Sequence, residues 1–127
     1  MTPAPGTALE VVTAELLASG AVFGYLHGSQ ISGTATAASD IDVAAFFGAP
    51  VDAWTVAPGL PGEVDLLVLD TAPLELAGRV ALHGRLLFER DAAARVAWEA
   101  TTRKIYLDEL PRRDRARRDF AEARRRG

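Results

Sequence analysis

Three aspartates in the first part of the chain have the residue type and spacing expected of a site for a hard metal cation. Asp40 and Asp42 lie two residues apart in a segment with the pattern of a strand, which places both carboxylates on one face, about 7 Å apart. Asp65 begins a later apolar run and would join them if the two strands pair. Carboxylates that converge in this way suit Mg²⁺, which keeps water and substrate phosphates as its other ligands.

A glycine–serine turn supplies the second half of a candidate site. Gly28 and Ser29 directly follow the apolar segment 21–27, and glycine lets the backbone approach a ligand while amides after a strand can face an anion. The spacing also resembles a Walker A loop, but Thr34 stands where that motif has lysine. A bound triphosphate would then be neutralised by metal ions, as in two-metal nucleotidyl transfer.

The Asp-x-Asp pair and the two histidines also have interpretations other than a magnesium site. An isolated Asp-x-Asp pair is more often a helix cap or turn with one exposed charge. A calcium-binding loop is excluded because the apolar segment 43–46 follows, where further oxygen ligands and a glycine are required. His27 and His83 are the only histidines, too few for zinc, and we expect both to be structural, although His27 adjoins the turn and could contact substrate.

Charge is divided unevenly along the 127 residues. The net charge is −3 and all 14 Lys and Arg residues lie at Arg79 or later, so no basic side chain in the first 78 residues can neutralise carboxylates that converge there. A divalent cation or a basic partner is the natural counter-charge. The chain has no cysteine, an uncharged N-terminal segment and no apolar run of membrane-spanning length, so we expect a cytoplasmic protein that does not enter a membrane.

The apolar patterns predict a single domain over residues 1–127 with an α/β (α+β) fold, in which a small mixed sheet of three to four strands is flanked by helices. The predicted helices cover 7–19, 73–82 and the region from Asp91, which acts as N-cap. A short helical turn is predicted at 52–56. The predicted strands cover 21–27, 40–47, 63–69 and 86–88, and 30–39 is predicted to be a loop.

The C-terminal segment 112–127 is rich in arginine. Pro111 is expected to interrupt the last helix, leaving a marginal helical tail that packs on the domain edge or on a partner. Acidic residues dilute its positive charge at helical spacing and aromatic residues barely interleave with the arginines, so a solvated face is favoured over direct nucleic-acid binding. Docking on a protein partner is the third alternative.

Gly28-Ser29, ten intervening residues and Asp40-Ile41-Asp42 together resemble the signature of the polymerase-beta-like nucleotidyltransferase superfamily, and more narrowly its minimal nucleotidyltransferase (MNT) branch. Val64-Asp65-Leu66 is similar to the strand that carries the third carboxylate of that branch. The segment from Arg79 to Asp91 is similar to the helix, glycine turn, strand and helix start that follow in MNT antitoxins. The likeness covers nearly the whole chain.

This resemblance implies a role for each site residue. Asp40 and Asp42 would hold Mg²⁺, Asp65 would complete the metal site and orient the acceptor hydroxyl, and Gly28 with Ser29 would grip the terminal phosphates of ATP. MNT antitoxins silence HEPN-domain ribonuclease toxins by transferring AMP to a tyrosine of the toxin. The resemblance therefore implies an antitoxin that is a protein adenylyltransferase, with a cognate HEPN toxin as its partner.

Two departures from the family pattern keep other functions open. Many relatives have a basic residue soon after the Gly-Ser pair, whereas this chain has Gln30, Ile31 and Ser32, and His27 stands at a position that is more often aromatic. A non-catalytic module that neutralises its toxin by occlusion is the main alternative. A small-molecule nucleotidyltransferase of the aminoglycoside type is less favoured, because 127 residues leave little room for an added helical substrate domain.

Overall fold

The fold was obtained as a computed structural model, which describes residues 5–28 and 41–126. Helix α1 (Pro5–Ala18) precedes strands β1 (Phe23–His27) and β2 (Ile41–Phe46). Short helix α2 (Ala53–Val56) and the 3-10 turn Ala57–Gly59 lead to β3 (Val64–Val68). Helix α3 (Leu74–His83), strand β4 (Arg85–Glu89) and the long helix α4 (Ala92–Arg126) complete the chain.

The four strands form one mixed sheet in the order β3-β2-β1-β4. β1 is antiparallel to both β2 and β4, whereas β2 and β3 are parallel. Helices cover both faces of the sheet, so the predicted fold class is confirmed. Each predicted strand and helix in the described ranges is found within a few residues of its expected bounds, and the predicted loop 30–39 lies outside the described residues.

The sheet separates two apolar clusters. On one face Val12 and Leu16 of α1 are fully buried together with Val43 of β2, which is the packing that four-residue spacing along a helix produces. On the other face the buried rings of Phe23 and Tyr25 pack with Val80 of α3 and with Trp98 of α4. Successive residues of β1 and β2 therefore belong to opposite clusters. This alternation determines the helices that each strand side chain faces.

The predicted interruption of the last helix at Pro111 is wrong. α4 runs without a break from Ala92 to Arg126 with Pro111 inside it. Proline removes one backbone hydrogen bond and crowds the preceding turn, but Leu110 and Arg113 on either side are partly buried and Pro111 itself is exposed. Packing on both sides of the proline thus offsets its cost and continues the helix. Asp91 caps the start as predicted, accepting a hydrogen bond of 3.1 Å from the Ala94 amide.

Asp70, one of the acidic residues among the first 78 positions, has a structural role. Its two carboxylate oxygens accept hydrogen bonds from the backbone amides of Phe47 (2.9 Å) and Gly48 (2.8 Å). These amides follow the end of β2, and Asp70 follows the end of β3. The carboxylate therefore ties the same ends of the two parallel strands together, away from the ends at which Asp42 and Asp65 stand.

Candidate active site

Asp42 and Asp65 stand side by side on neighbouring strands. They are Cα partners in the parallel ladder between β2 and β3, and partners in a ladder project their side chains to the same face. Their neighbours Ile41 and Val64 belong to the apolar cluster on the α1 face, so both carboxylates lie on the opposite face. We refer to Asp42 and Asp65 as the aspartate pair. Asp42 is partly buried and Asp65 is exposed.

Gly28 brings the turn after β1 against the aspartate pair. Its φ of +77° lies in the left-handed region, which glycine adopts without the penalty that a Cβ imposes. A Cβ at this position would lie 3.1 Å from Cγ of Asp42 and would collide with its Oδ2. Both the conformation and the close approach therefore require glycine. The backbone of the turn adjoins the Asp42 carboxylate, as expected where a substrate phosphate meets a metal site.

His27 extends the aspartate pair into a row of three residues. It is the Cα partner of Asp42 in the antiparallel β1–β2 ladder, so the order across the sheet is His27, Asp42, Asp65. Burial lowers the pKa of the imidazole, and this effect outweighs the charge of Asp42 and a hydrogen bond to the Val43 backbone, which both raise it. A neutral imidazole leaves the charges of the aspartate pair uncompensated. The sequence pointed to His27 only through its position before the turn.

Ser29 and Asp40 lie outside the described residues. The structure thus brings together Gly28, Asp42 and Asp65 of the five predicted site residues, and the roles assigned to all five remain predictions. Over residues 5–28 and 41–126, no group of three or more His, Cys, Asp or Glu side chains could by itself hold a metal ion. The predicted site has a third carboxylate, which belongs to Asp40. In sequence, Asp40 immediately precedes β2.

The donor atoms of the aspartate pair fit Mg²⁺. Among the described residues, no ion pair joins Asp42 or Asp65 to a basic side chain. Two carboxylates on adjacent strands, one of them open to solvent, offer oxygen ligands and leave coordination positions for water and phosphate. This is how Mg²⁺ is commonly held, with one or two carboxylates and the substrate's own oxygens.

A partly buried hydrogen-bond network joins α4 to the strand that carries His27. Tyr25 donates a hydrogen bond of 2.6 Å to Glu99, and the same carboxylate pairs with Arg95 at 3.1 Å and with Arg103 at 3.4 Å. Arg95 also pairs with Glu89 of β4. We call Tyr25, Glu89, Arg95, Glu99 and Arg103 the α4 latch.

The α4 latch was missed by the sequence analysis. Tyr25 and Glu99 are 74 residues apart, and neither belongs to a motif that would have paired them. Burial, followed by the hydrogen bond to Glu99 and its negative charge, raises the pKa of Tyr25 far above that of a free phenol. The hydroxyl therefore keeps its proton and acts as a donor to Glu99 at any physiological pH.

The comparison with protein families gives one match to this chain. The family described as "Polymerase beta, Nucleotidyltransferase" matches residues 18–93, which is more than half of the chain and includes Gly28, Asp42 and Asp65. No curated protein sequence matches. Among the described residues, no helix is long and apolar enough to cross a membrane.

Several solved structures are similar in fold. A toxin–antitoxin structure with AMP-PNP is 24% identical with a TM-score of 0.75, covering 89% of this chain and 98% of that chain. An MntA–HpeT mutant has 22% identity, a TM-score of 0.75 and the same coverage of both chains. The structure of a tri-AMPylated Shewanella oneidensis HEPN toxin in complex with MNT antitoxin has 21% identity and a TM-score of 0.70, covering 91% of this chain and 98% of that chain. At these identities the likeness establishes the fold.

Proposed function

The chain belongs to the polymerase beta nucleotidyltransferase family, and from that premise we propose that it is an MNT antitoxin that transfers AMP from ATP to a tyrosine of a cognate HEPN ribonuclease toxin. The observation that carries the proposal is the aspartate pair in ladder register beside the Gly28 turn. The relatives that include AMP-PNP and an AMPylated HEPN toxin support the choice of nucleotide and partner. It would act in the cytoplasm, the compartment that the sequence predicts.

Each site residue has a part in this transfer. Gly28 and Ser29 bind the terminal phosphates of ATP through backbone amides at the turn. Asp65 orients the acceptor hydroxyl for attack on the α-phosphorus. A bond forms between the tyrosine oxygen and this phosphorus while the bond to the bridging oxygen breaks, so pyrophosphate leaves and the hydroxyl proton passes to solvent or to a carboxylate. Asp40, Asp42 and Asp65 would hold Mg²⁺, which when bound neutralises charge on the triphosphate.

Incubation with labelled ATP, Mg²⁺ and a purified candidate HEPN partner tests the proposal. We expect the label to appear on the HEPN protein, and Asp42→Asn to reduce the transfer rate by at least about 100-fold, the usual cost of losing electrostatic stabilisation of a transition state. Asp52→Asn is the matched control, because Asp52 is exposed and its side chain makes no capping hydrogen bond at α2. It should retain the wild-type rate. Transfer by Asp42→Asn at the wild-type rate would refute the assignment.

The absence of a basic residue at 30–32 favours one second candidate. A module that neutralises the toxin by occlusion would need no nucleotide, and a turn without a basic side chain binds phosphates less strongly. Calorimetric titration with ATP and Mg²⁺ separates the two functions. Nucleotide binding that Asp42→Asn weakens favours the enzyme, whereas tight toxin binding by a chain with no affinity for ATP favours the module.

A further inference from the structure

The last part of α4 extends beyond the body of the protein. Arg113 of α4 pairs with Glu75 of α3 at 3.8 Å, and every residue from Asp114 to Arg125 is exposed. We call residues 114–126 the α4 extension. Most helical stability in proteins comes from packing of an apolar face, and the exposed α4 extension gains little of it from the domain. A helix that projects in this way is stabilised when a partner covers it.

The face of α4 that packs on the domain continues along the α4 extension. Trp98, Thr102, Tyr106 and Arg113 are partly buried at helical spacing along the packed face. The same face then carries Ala116, Phe120 and Ala123 at spacings of four and three, and Phe120 is 65% exposed. We call these three residues the apolar stripe. An apolar stripe that continues an intramolecular helix interface has the geometry for packing against another helix or groove.

The charge of the α4 extension indicates what covers it. Six arginines and three acidic residues lie between Asp114 and Arg126, so two copies of the extension would repel each other when packed together. Arg117 and Arg124 flank the apolar stripe along one edge, and the Arg124 guanidinium lies 5.7 Å from the centre of the Phe120 ring. A groove with an apolar floor and acidic rims complements both features. RNA would pair with the arginines and leave the apolar stripe exposed.

We propose that the α4 extension docks as a helix into an apolar, acid-rimmed groove of a protein partner, with Phe120 as its central anchor. Aromatic residues commonly form such anchors, and flanking charges add specificity and speed association. The identity of the partner rests on the proposed function, under which it is the HEPN toxin. Docking itself is independent of nucleotide transfer, because none of the predicted site residues lies on α4.

The test measures the affinity of the purified HEPN protein for full-length variants of this chain in the absence of ATP. Phe120→Glu should weaken binding at least about tenfold, as loss of an interface anchor does. Val96→Glu is the control, since Val96 is 54% exposed on the same helix but on the side away from the packed face. It should bind within about twofold of wild type. The double variant Arg117→Glu, Arg124→Glu should also bind at least about tenfold more weakly, because it places acidic side chains against the acidic rims.

Three other outcomes would overturn docking of the apolar stripe on a protein partner. Equal affinity of wild type and Phe120→Glu would exclude docking through the apolar stripe. Binding of a short single-stranded RNA that the double variant loses, with HEPN affinity unchanged, would make the extension a nucleic-acid arm. A wild-type dimer that Phe120→Glu converts to a monomer would make the occupant a second copy. A wild type that binds the HEPN protein without labelling it refutes only the transfer, whereas one that does not bind it refutes the partner as well.

Discussion

At the scale of single residues, the aspartate pair is an arrangement that folding alone would not favour. Asp42 and Asp65 are ladder partners with no basic side chain paired to either in the described part of the chain, and like charges directly opposite each other destabilise a sheet. His27, the third member of the row, has a pKa below its usual value and so adds no positive charge at neutral pH. A bound cation removes this repulsion, which makes the pair an expected ligand set.

Asp65→Asn should therefore stabilise the metal-free protein. Removing one of two adjacent negative charges relieves about 0.2–1 kcal/mol, so the melting temperature in EDTA should rise above that of wild type. Addition of Mg²⁺ should raise the melting temperature of wild type, because a ligand that binds the folded state stabilises it. The variant should show a smaller increase. Thermal melts of both proteins, with EDTA and with Mg²⁺, measure the two effects.

Asp52→Asn controls for the loss of one negative charge from the first 78 residues, which contain no basic side chain. It removes an exposed carboxylate in the connection between β2 and β3, outside the ladder itself, so its melts should follow wild type in both buffers. A lower melting temperature for Asp65→Asn in EDTA would show that the Asp65 carboxylate stabilises the fold through a favourable contact. An Mg²⁺ effect of the same size in wild type and Asp65→Asn would remove Asp65 from the metal site.

At the scale of elements, the contact between α3 and α4 depends on Gly78. The ring of Tyr106 lies where a Cβ of Gly78 would be, so glycine allows the two helices to approach closely. Gly78→Ala gains about 1 kcal/mol of helix propensity but introduces a collision with a ring, and overpacking costs about 1–3 kcal/mol. We expect the collision to dominate, giving a net loss of stability by chemical denaturation.

The matched control separates the two effects at Gly78. In a Tyr106→Ala background the collision is absent, so Gly78→Ala should then stabilise the protein by its propensity alone. A double-mutant cycle with these two substitutions should thus show strong coupling, as expected for residues in contact. Additive effects would mean that the helices can separate without cost and that glycine is not required for their packing.

The elements of the sheet were predictable because each strand is a short apolar run bounded by turn residues, and their clusters follow from side-chain alternation. The register was not predictable in the same way. That Asp65 stands opposite Asp42, one strand away, depends on parallel pairing between segments separated by the connection 47–63. The predicted helix end at Pro111 was wrong for a related reason, because it too depends on tertiary contacts. The packing of α4 on α3 outweighs the tendency of proline to interrupt a helix.

At the scale of the whole molecule, the uneven charge of the sequence is distributed in a consistent way. All basic residues lie after position 78. Two of them, Arg95 and Arg103, pair within the α4 latch with Glu99, which lies in the same part of the chain. The aspartate pair lies in the first 78 residues, and no basic side chain pairs with it among the described residues. The sequence predicted the asymmetry and its consequence for the site, but the pairings in the latch required the tertiary structure.

The α4 latch predicts how stability depends on pH. Burial alone would raise the pKa of Glu99, but hydrogen bonds from Tyr25 and Arg95 and the charges of Arg95 and Arg103 together lower it below its usual value of 4.5. A depressed pKa in the folded state adds stability above the pKa of the unfolded chain, and this contribution is lost as pH falls through the folded value. Glu99→Gln should therefore be less stable than wild type at pH 7, by about 1–3 kcal/mol for hydrogen bonds to a charged group.

The difference between Glu99→Gln and wild type should shrink as pH falls from 4.5 through the lower folded-state pKa of Glu99, because the unfolded wild-type chain takes up the proton first and the folded carboxylate becomes neutral afterwards. Urea unfolding at a series of pH values measures this difference. Glu109→Gln is the control, since Glu109 pairs with the exposed side chain of Arg112, and ion pairs that reach solvent add little. Its stability should follow wild type throughout. A constant difference for Glu99→Gln across the series would mean that packing of Glu99, and not its charge, holds α4 on the sheet.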